Sequence, residues 1–168
     1  MSRPSTLCLT TVVLVGELNP YGRDPRYALY DEPVGSAGWR LRTRVLRVNR
    51  ATYFGFKRHN LCVGKYSVPE ARVEAGRLYL EQYDSRRVDA VFVLLGRKVA
   101  TAFGCAGYDP FTRPEGMRIV LLPHPSGLCR EWNVPLAYDQ AGSLLKSAVP
   151  CVPWGEGDSP RTSGAHPR

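Results

Sequence analysis

Three apolar runs along the chain predict β-strands that are buried on both faces, because aliphatic and β-branched residues follow one another without polar alternation. The runs are Leu7–Val15 (LCLTTVVLV), Asp89–Leu95 (DAVFVLL) and Met117–Leu122 (MRIVLL). We expect Gly16 to end the first strand, Gly96 to turn the chain after the second, and Pro123 to follow the third. The segment Tyr53–Val63 (YFGFKRHNLCV) is compatible with a short strand or an ordered loop.

Four other segments are predicted to be helical. They are Trp39–Val48, a helix from Ser67 to about Tyr83, Arg97–Phe103 and Leu136–Ala148. In the first segment Leu41, Val45 and Val48 share one side, and a row of arginines on another side is more typical of a solvated face than of a DNA contact. Ser67 and Glu70 form a capping box at the start of the second helix.

Strands that alternate with helices predict an α/β fold, with three layers (α/β/α) around a mainly parallel central sheet of about four strands. We expect one domain over residues 1–152, which is long enough for a single buried core. Residues 19–38 contain three prolines, three glycines and three tyrosines, a composition that suits a long functional loop. Residues 153–168 are rich in Pro, Gly, Ser and charge, which predicts a disordered tail.

The composition is that of a globular protein, with 43% hydrophobic and 23% charged residues. No apolar run approaches the length of a membrane span, and the N-terminus lacks a basic stretch before a long apolar segment. We therefore expect a cytoplasmic or nucleoid-associated protein without a membrane partner. The five cysteines are widely spaced and include no Cys-x-x-Cys pair, so we expect neither a disulfide framework nor a structural zinc site.

The formal charge of +8 is supplied mainly by arginine, with nineteen Arg against four Lys. Arginine binds phosphate as a planar fork and also pairs with aromatic and base faces. A basic surface speeds association with polyanions, so nucleic acid is the expected partner. Charge alone is equally compatible with a basic protein that binds no nucleic acid.

Two motifs follow the ends of predicted strands. They are Gly16-Glu17-Leu18-Asn19-Pro20-Tyr21-Gly22 and His124-Pro125-Ser126-Gly127-Leu128. Ligands of open α/β sheets bind at the carboxyl edge of the strands, so these motifs predict a site that combines a carboxylate, an amide, an aromatic ring and an imidazole. The turn at Gly96-Arg97-Lys98 adds backbone N–H groups and two cations at a helix start, which favours a phosphate. No dinucleotide or Walker pattern follows the first strand.

Together these motifs resemble those of the uracil-DNA glycosylase superfamily, over most of the chain from Val12 to Leu128. Asn19-Pro20-Tyr21 resembles the Asp-Pro-Tyr of the uracil-specific enzymes, and an Asn occupies that place in the mismatch-specific branch. Gly16-Glu17 instead resembles the Gly-Glu-x-Pro-Gly branch. Leu18 makes this motif one residue longer than either pattern, so both Glu17 and Asn19 remain candidates for the group that serves the sugar.

The resemblance also implies roles for the other motif residues. His124 would hydrogen-bond the base carbonyl, Asn60 in Arg58-His59-Asn60-Leu61-Cys62 would read the flipped base, and Tyr21 would screen out bulkier bases. One ring among Tyr53, Phe54 and Phe56 would stack on the base, and we take Phe54 as the candidate. The expected DNA contacts are Gly96, Arg97, Lys98, Ser126, Gly127, the wedge residue Leu128 and the phosphate ligand Arg130. The cysteine spacing of the family's iron–sulfur members is absent, so we expect no metal and no cofactor.

Hydrolysis of an N-glycosidic bond creates a cationic sugar and an anionic base, and a catalyst has to stabilise both. Glu17 or Asn19 is suited to the first task and His124 to the second. We therefore expect a monomeric DNA glycosylase that acts on a flipped-out uracil-like, damaged or modified base without an obligatory protein partner. The alternatives are a non-hydrolytic nucleic-acid-binding or base-modifying member of the superfamily, and a small-molecule or nucleotide hydrolase.

Overall fold

The computed structural model describes residues 9–19, 21–84, 89–105 and 107–157 of the chain. Two short 3-10 helices, Pro25–Tyr27 and Arg130–Asn133, lie in the connections. The main elements, in chain order, are β1 (Thr10–Asn19), α1 (Ala37–Arg40) with the π-helical turn Leu41–Leu46 that continues it, α2 (Arg50–Gly55), β2 (Lys57–Val63), α3 (Val68–Asp84), β3 (Asp89–Leu95), α4 (Arg97–Ala102), β4 (Ile119–Leu122) and α5 (Ala137–Ala148).

The four strands form one sheet in the order β2-β1-β3-β4, and every pair of neighbouring strands is parallel. This confirms the predicted parallel sheet of about four strands. An isolated antiparallel bridge joins Thr112 to Leu121 at the side of β4. The parallel arrangement brings the carboxyl ends of all four strands to one edge.

Helices cover both faces of the sheet, so the protein has the predicted α/β/α layers. The side chains of β1 alternate between two separate cores: Val12 and Leu14 lie in one, and Val13 and Val15 lie in the other. The first core also contains residues of the π-helical turn, α2 and α5, and the second contains residues of α3 and α4. Burial on both faces explains why β1 and β3 read as continuous apolar runs.

The first strand is longer than predicted, because Gly16 does not end it. β1 pairs with β3 up to Val15, and it pairs with β2 further, through Gly16 and Leu18 to Asn19. The first half of the first motif is therefore held in extended strand geometry. The predicted residues Leu7 and Cys8 lie outside the described part of the chain.

The segment Tyr53–Val63, which was compatible with a short strand or an ordered loop, divides into two elements. Its first residues belong to α2, whose start is capped by Asn49, since Asn49 Oδ1 accepts a hydrogen bond from the Thr52 N–H at 2.8 Å. The strand interpretation holds for Lys57–Val63. The first predicted helix is also shifted: the helical segment starts at Ala37 and ends before Arg47, which adopts a positive φ of 52°.

The first residues of the predicted disordered tail, 153–157, contact the domain instead. Trp154 is buried, its ring stacks on Phe56 with 5.4 Å between centroids, and its Nε1–H donates to the Val149 carbonyl. The N–H groups of Gly155 and Gly157 donate to carbonyls at the end of the π-helical turn. One tryptophan thus anchors a stretch whose composition suggested disorder, whereas residues 158–168 lie outside the described part of the chain.

Cys151 is disulfide-bonded, a bond that the cysteine spacing did not predict, whereas Cys62, Cys105 and Cys129 are free thiols. Disulfides are rare in cytosolic proteins, so this bond does not support the expected cytoplasmic location. That location stays a prediction. None of the helices in the described ranges is both long and apolar enough to cross a membrane.

Candidate functional site

The connections after β1 and β3 leave the sheet on opposite faces. After β1 the chain passes to the face that contains the π-helical turn and α2, and after β3 it passes to the face that contains α4. In open α/β sheets a crevice forms at such a switch point, outside the carboxyl ends of the strands, and ligands bind there. Glu17 on β1, Gly96 after β3 and His124 after β4 all lie at this edge.

A cavity of about 310 Å³ opens at this switch point, and we call it the edge cavity. Its volume is at the lower end of the range for small-molecule sites, roughly 300–1,000 Å³. Polar and aromatic side chains supply much of its lining, and those that the argument uses are Glu17, Tyr21, Tyr27, Tyr30, Asn60 and His124. The first motif, the middle motif and the His-Pro-Ser motif therefore meet in one cavity.

His124 is held in a defined orientation and protonation state. Its Nδ1 accepts a hydrogen bond from the Ser126 N–H at 3.1 Å, so a neutral ring carries its proton on Nε2. The Trp132 indole N–H donates to the His124 carbonyl at 2.9 Å and fixes the backbone. Burial lowers the pKa of His124, Glu17 opposes this shift, and Lys98 adds to it. The imidazole thus offers an Nε2–H donor at neutral pH.

Glu17 lies beside His124 at the floor of the site. Its side chain is 23% exposed, and its Oε2 atom lies 3.7 Å from Lys98 Nζ. A Cβ atom on Gly96 would lie 3.4 Å from Glu17 Oε1 and 3.2 Å from His124 Cβ, and Gly96 also has a φ of +99°. A glycine at this position therefore lets the carboxylate and the imidazole approach each other across the end of β3.

Asn60 carries the unsatisfied polar group of the edge cavity. It pairs with Gly16 in the β1–β2 register, and a Cβ atom on Gly16 would lie 2.5 Å from Asn60 Oδ1. The absence of a side chain at Gly16 therefore makes room for the amide. Asn60 Nδ2 is buried and has no hydrogen-bond partner in the structure, a situation that costs about 1–3 kcal/mol. Such a donor is suited to bind a ligand acceptor.

Asn19, the other candidate for the sugar, is engaged elsewhere. Its side chain is buried, its Oδ1 accepts from the Tyr21 N–H at 2.9 Å, and its Nδ2 donates to the Asp24 carbonyl at 3.3 Å. Both ends of the amide thus hold the loop that follows β1. Of the two alternatives, Glu17 lines the edge cavity and Asn19 lines the neighbouring groove.

The aromatic wall of the cavity differs from the predicted one. Tyr21 lines the cavity as expected, and its hydroxyl donates to the Glu32 carbonyl at 3.2 Å. Phe54 does not line the cavity; its ring lies 6.1 Å from that of Tyr30, which does. Tyr30 and Tyr27 were missed as site residues, although the three tyrosines in residues 19–38 were a signal for them.

The turn after β3 is used differently from the expected phosphate site. The Gly96 N–H donates to the Leu122 carbonyl at 2.8 Å, so the sheet already uses it. Lys98 faces Glu17, and the Arg97 guanidinium lies over the Tyr108 ring at 5.1 Å. The helix that follows has only six residues. Gly96 and Lys98 therefore lie next to Glu17 behind the cavity lining, and Arg97 is exposed.

The His-Pro-Ser loop presents an apolar side chain to solvent. Ser126 Oγ accepts from the Leu128 N–H at 3.2 Å, and Leu128 is 92% exposed. Arg130 is exposed at the start of the following 3-10 helix. Gly127 packs against the Arg40 guanidinium, since a Cβ atom on Gly127 would lie 2.9 Å from Arg40 Nη2. Arg40 was missed because it belongs to the row of arginines in the predicted helix Trp39–Val48, which is typical of a solvated face.

A second, larger groove of about 820 Å³ lies between β2 and α3. It is lined by Asn19, His59, Asn60, Glu74 and Arg77, among others, so Asn60 borders both this groove and the edge cavity. Arg77 forms ion pairs within the groove, 2.6 Å from Glu74 and 3.0 Å from Glu81. Burial lowers the pKa of His59, and nearby Arg77 lowers it further. We call this region the α3 groove.

Comparisons of the chain with protein-family models, with curated proteins and with solved structures found no match. The resemblance described above therefore rests on the motif residues themselves. Within the described ranges, no group of three or more His, Cys, Asp or Glu side chains is arranged to hold a metal ion.

Proposed function

We propose that the protein is a DNA glycosylase with a uracil-DNA glycosylase-like fold, which hydrolyses the N-glycosidic bond of a flipped-out uracil-like, damaged or modified base. One observation carries this proposal: the unpaired amide of Asn60 shares a cavity with a neutral His124 and with Glu17. Two donors suit the base, where negative charge develops, and a carboxylate suits the sugar, where positive charge develops.

Recognition of the base would rest on Asn60 and His124. An amide pairs with a carbonyl and an adjacent N–H on a pyrimidine edge, and Asn60 Nδ2 is free to donate to that carbonyl. The Nε2–H of His124 would donate to a second carbonyl oxygen, where negative charge grows as the glycosidic bond breaks. Such a positioned donor typically contributes about 10²–10³ in rate.

Glu17 would serve the sugar. As the glycosidic bond breaks, the sugar becomes cationic, and a nearby carboxylate stabilises that charge or orients the attacking water. Lys98 neutralises part of the charge of Glu17 in the free protein. Asn19 would act indirectly, because its hydrogen bonds position the loop that carries Tyr21.

DNA would be held by the His-Pro-Ser loop. Leu128 is exposed and apolar, as a residue that fills the gap left by a flipped base has to be. Ser126 and Gly127 form its turn, and Arg130 follows with an exposed guanidinium for a phosphate. The formal charge of +8 favours binding to a polyanion.

A second candidate function is binding of the flipped base without hydrolysis. It is favoured because neither polar side chain of the first motif is free. The Asn19 amide is hydrogen-bonded within the loop, and the Glu17 carboxylate contacts Lys98. A protein of this kind would recognise the same base through Asn60 and His124 but leave the glycosidic bond intact.

The test is release of free base from labelled oligonucleotides that carry uracil, hypoxanthine, hydroxymethylated or glycosylated pyrimidines. Wild type is compared with Glu17→Gln, Asn19→Ala and His124→Ala. We expect release by wild type, loss in Glu17→Gln and His124→Ala, and retention in Asn19→Ala at temperatures where that variant is folded. Binding without release from any substrate would favour the second candidate. The absence of both would refute the proposal.

A further inference from the structure

A row of aromatic rings leads from the mouth of the edge cavity across the surface. Its members are Tyr21, Tyr27, Tyr30 and Phe54, and we call it the ring row. Successive ring centroids are separated by 6.2, 5.2 and 6.1 Å, with interplanar angles of 55°, 75° and 54°. The rings therefore do not stack flat on one another. Tyr21, Tyr27 and Phe54 are 50%, 39% and 38% exposed, an unusual concentration of aromatic surface.

Arginine side chains accompany the ring row. The Arg26 guanidinium lies 5.9 Å from the centre of the Tyr27 ring, and those of Arg50 and Arg58 lie 5.2 and 4.6 Å from the centre of Phe54. Two shallow outer depressions are lined by members of the ring row, one of them together with Arg26, Arg50 and Arg58. Guanidinium groups next to aromatic faces are the combination with which proteins bind bases and their phosphates.

Acidic side chains also lie along the ring row and reduce its net charge. Asp24 contacts Arg26 at 2.7 Å, and Glu32 contacts Arg50 at 3.1 Å. A surface that attracted DNA by charge alone would lack these carboxylates. The aromatic faces are consequently the main feature that this surface offers to a ligand.

We propose that the ring row binds an unpaired DNA strand next to the flipped base. Bases on successive rings would have to follow the ring spacing of 5.2–6.2 Å, which is wider than the roughly 3.4 Å between stacked bases of one duplex strand. An extended single strand meets this spacing, whereas a duplex does not. The inference rests on the proposed function in one respect: it takes nucleic acid as the ligand.

The ring row is continuous with the edge cavity. Tyr21, Tyr27 and Tyr30 line the edge cavity and also the outer depressions, so one strand can leave a base in the cavity and stack its neighbours outside. This predicts a preference for single-stranded or locally unpaired substrates over intact duplex.

The test measures binding of undamaged DNA and therefore does not depend on catalysis. Fluorescence anisotropy of labelled oligo(dT) is compared with that of a labelled hairpin duplex for wild type, Tyr27→Leu and Phe54→Leu. Tyr27→Phe and Phe54→Tyr keep a ring at each position. Tyr79→Leu is the matched control, because Tyr79 is 42% exposed on α3 in the other helical layer. Thermal unfolding of each variant checks that it is folded.

We expect tighter binding of oligo(dT) than of the hairpin, and a loss of roughly 5- to 150-fold in single-strand affinity for each ring removed. The ring-keeping variants and Tyr79→Leu should bind like wild type. Equal affinity for both ligands, or no effect of Tyr27→Leu and Phe54→Leu, would overturn the inference. Single-strand binding that depends on these rings, in a protein that releases no base, would leave the inference standing while the glycosylase proposal fails.

Discussion

The edge cavity and the α3 groove meet at Asn60 of β2, which lines both, and they differ in the groups that accompany this amide. The α3 groove has the larger volume, about 820 Å³ against about 310 Å³. Within it Arg77 pairs with Glu74 and Glu81, and both ends of the Asn19 amide are hydrogen-bonded. In the edge cavity, the buried and unpaired amide of Asn60 is accompanied by the carboxylate of Glu17 and the imidazole of His124.

This difference shows why volume is a poor guide to the functional site. Polar atoms that already bind each other, such as those of the Arg77 ion pairs, gain little from a ligand, since the ligand has to replace contacts that exist. A cavity with an unpaired donor gains a full hydrogen bond when a ligand supplies the acceptor. The two regions also contain one histidine each, His124 and His59, which allows matched experiments.

The largest expected effect is the loss of base release in His124→Ala, for which His59→Ala is the matched control. His124→Ala removes the Nε2–H donor for the charge that grows on the departing base, so we expect base release to fall by about 10²–10³. His59→Ala alters only the α3 groove and should leave the rate within a factor of about two. Single-turnover release of base measures both. A similar loss in the two variants would show that the edge cavity is not the site.

The two asparagines sharpen the comparison because their roles should separate. Asn60→Ala removes a buried donor that has no partner, so we expect no loss of stability, but a loss of roughly 5- to 150-fold in base release. Asn19→Ala removes two hydrogen bonds and should lower the free energy of unfolding by about 1–3 kcal/mol.

Urea denaturation and base-release assays on the same samples test this pair. Asn60→Asp keeps the shape of the side chain and replaces the donor, so it should be as inactive as Asn60→Ala. If Asn60→Ala were destabilised and Asn19→Ala were not, the assignment of the two amides would be reversed.

The pH dependence should follow His124. Its pKa is lowered, chiefly by burial, so the neutral ring persists to lower pH than in an ordinary histidine. Protonation places a proton on Nδ1, opposite the Ser126 N–H, and base release should therefore decrease about tenfold per pH unit below that pKa. Lys98 lowers this pKa, so Lys98→Met should move the acidic limb of the profile to higher pH. An unchanged limb in Lys98→Met would argue against His124 as the titrating group.

At Leu128 the expected effect is confined to one class of substrate. Its side chain is 92% exposed in the free protein, and burying a leucine in a base stack contributes about 1.5–3 kcal/mol. Leu128→Ala should slow base release from duplex substrates by roughly tenfold or more and leave single-stranded substrates unchanged. A similar loss on both substrates would remove the wedge role.

Local sequence patterns predicted the elements that depend on residues close together in the chain. β3 has the predicted bounds, and the helix capped by Ser67 was placed within one residue at its start. The sheet order and the extension of β1 to Asn19 depend on pairing with β2, a non-local interaction that the apolar run does not encode. Trp154 was missed for the same reason, because its packing partner Phe56 is far away in sequence.

The candidate site was predicted only in part. Glu17, Asn60 and His124 were proposed from motifs, but their convergence depends on the β1–β2 register and on the absence of side chains at Gly16 and Gly96. The sequence left Glu17 and Asn19 as alternatives, because strand geometry and loop hydrogen bonds distinguish them. The ring row was missed, since three tyrosines of the loop after β1 and one phenylalanine of α2 form it only after folding.

The most direct measurement is the NMR signal of the asparagine side-chain amides during titration with free uracil. The account predicts that the Asn60 amide shifts in a saturable manner, together with the Nε2–H of His124, and that the Asn19 amide and the His59 ring do not. Shifts confined to Asn19 and His59 would place the ligand in the α3 groove and contradict the account. No shift at Asn60 with uracil or any other base would contradict it equally.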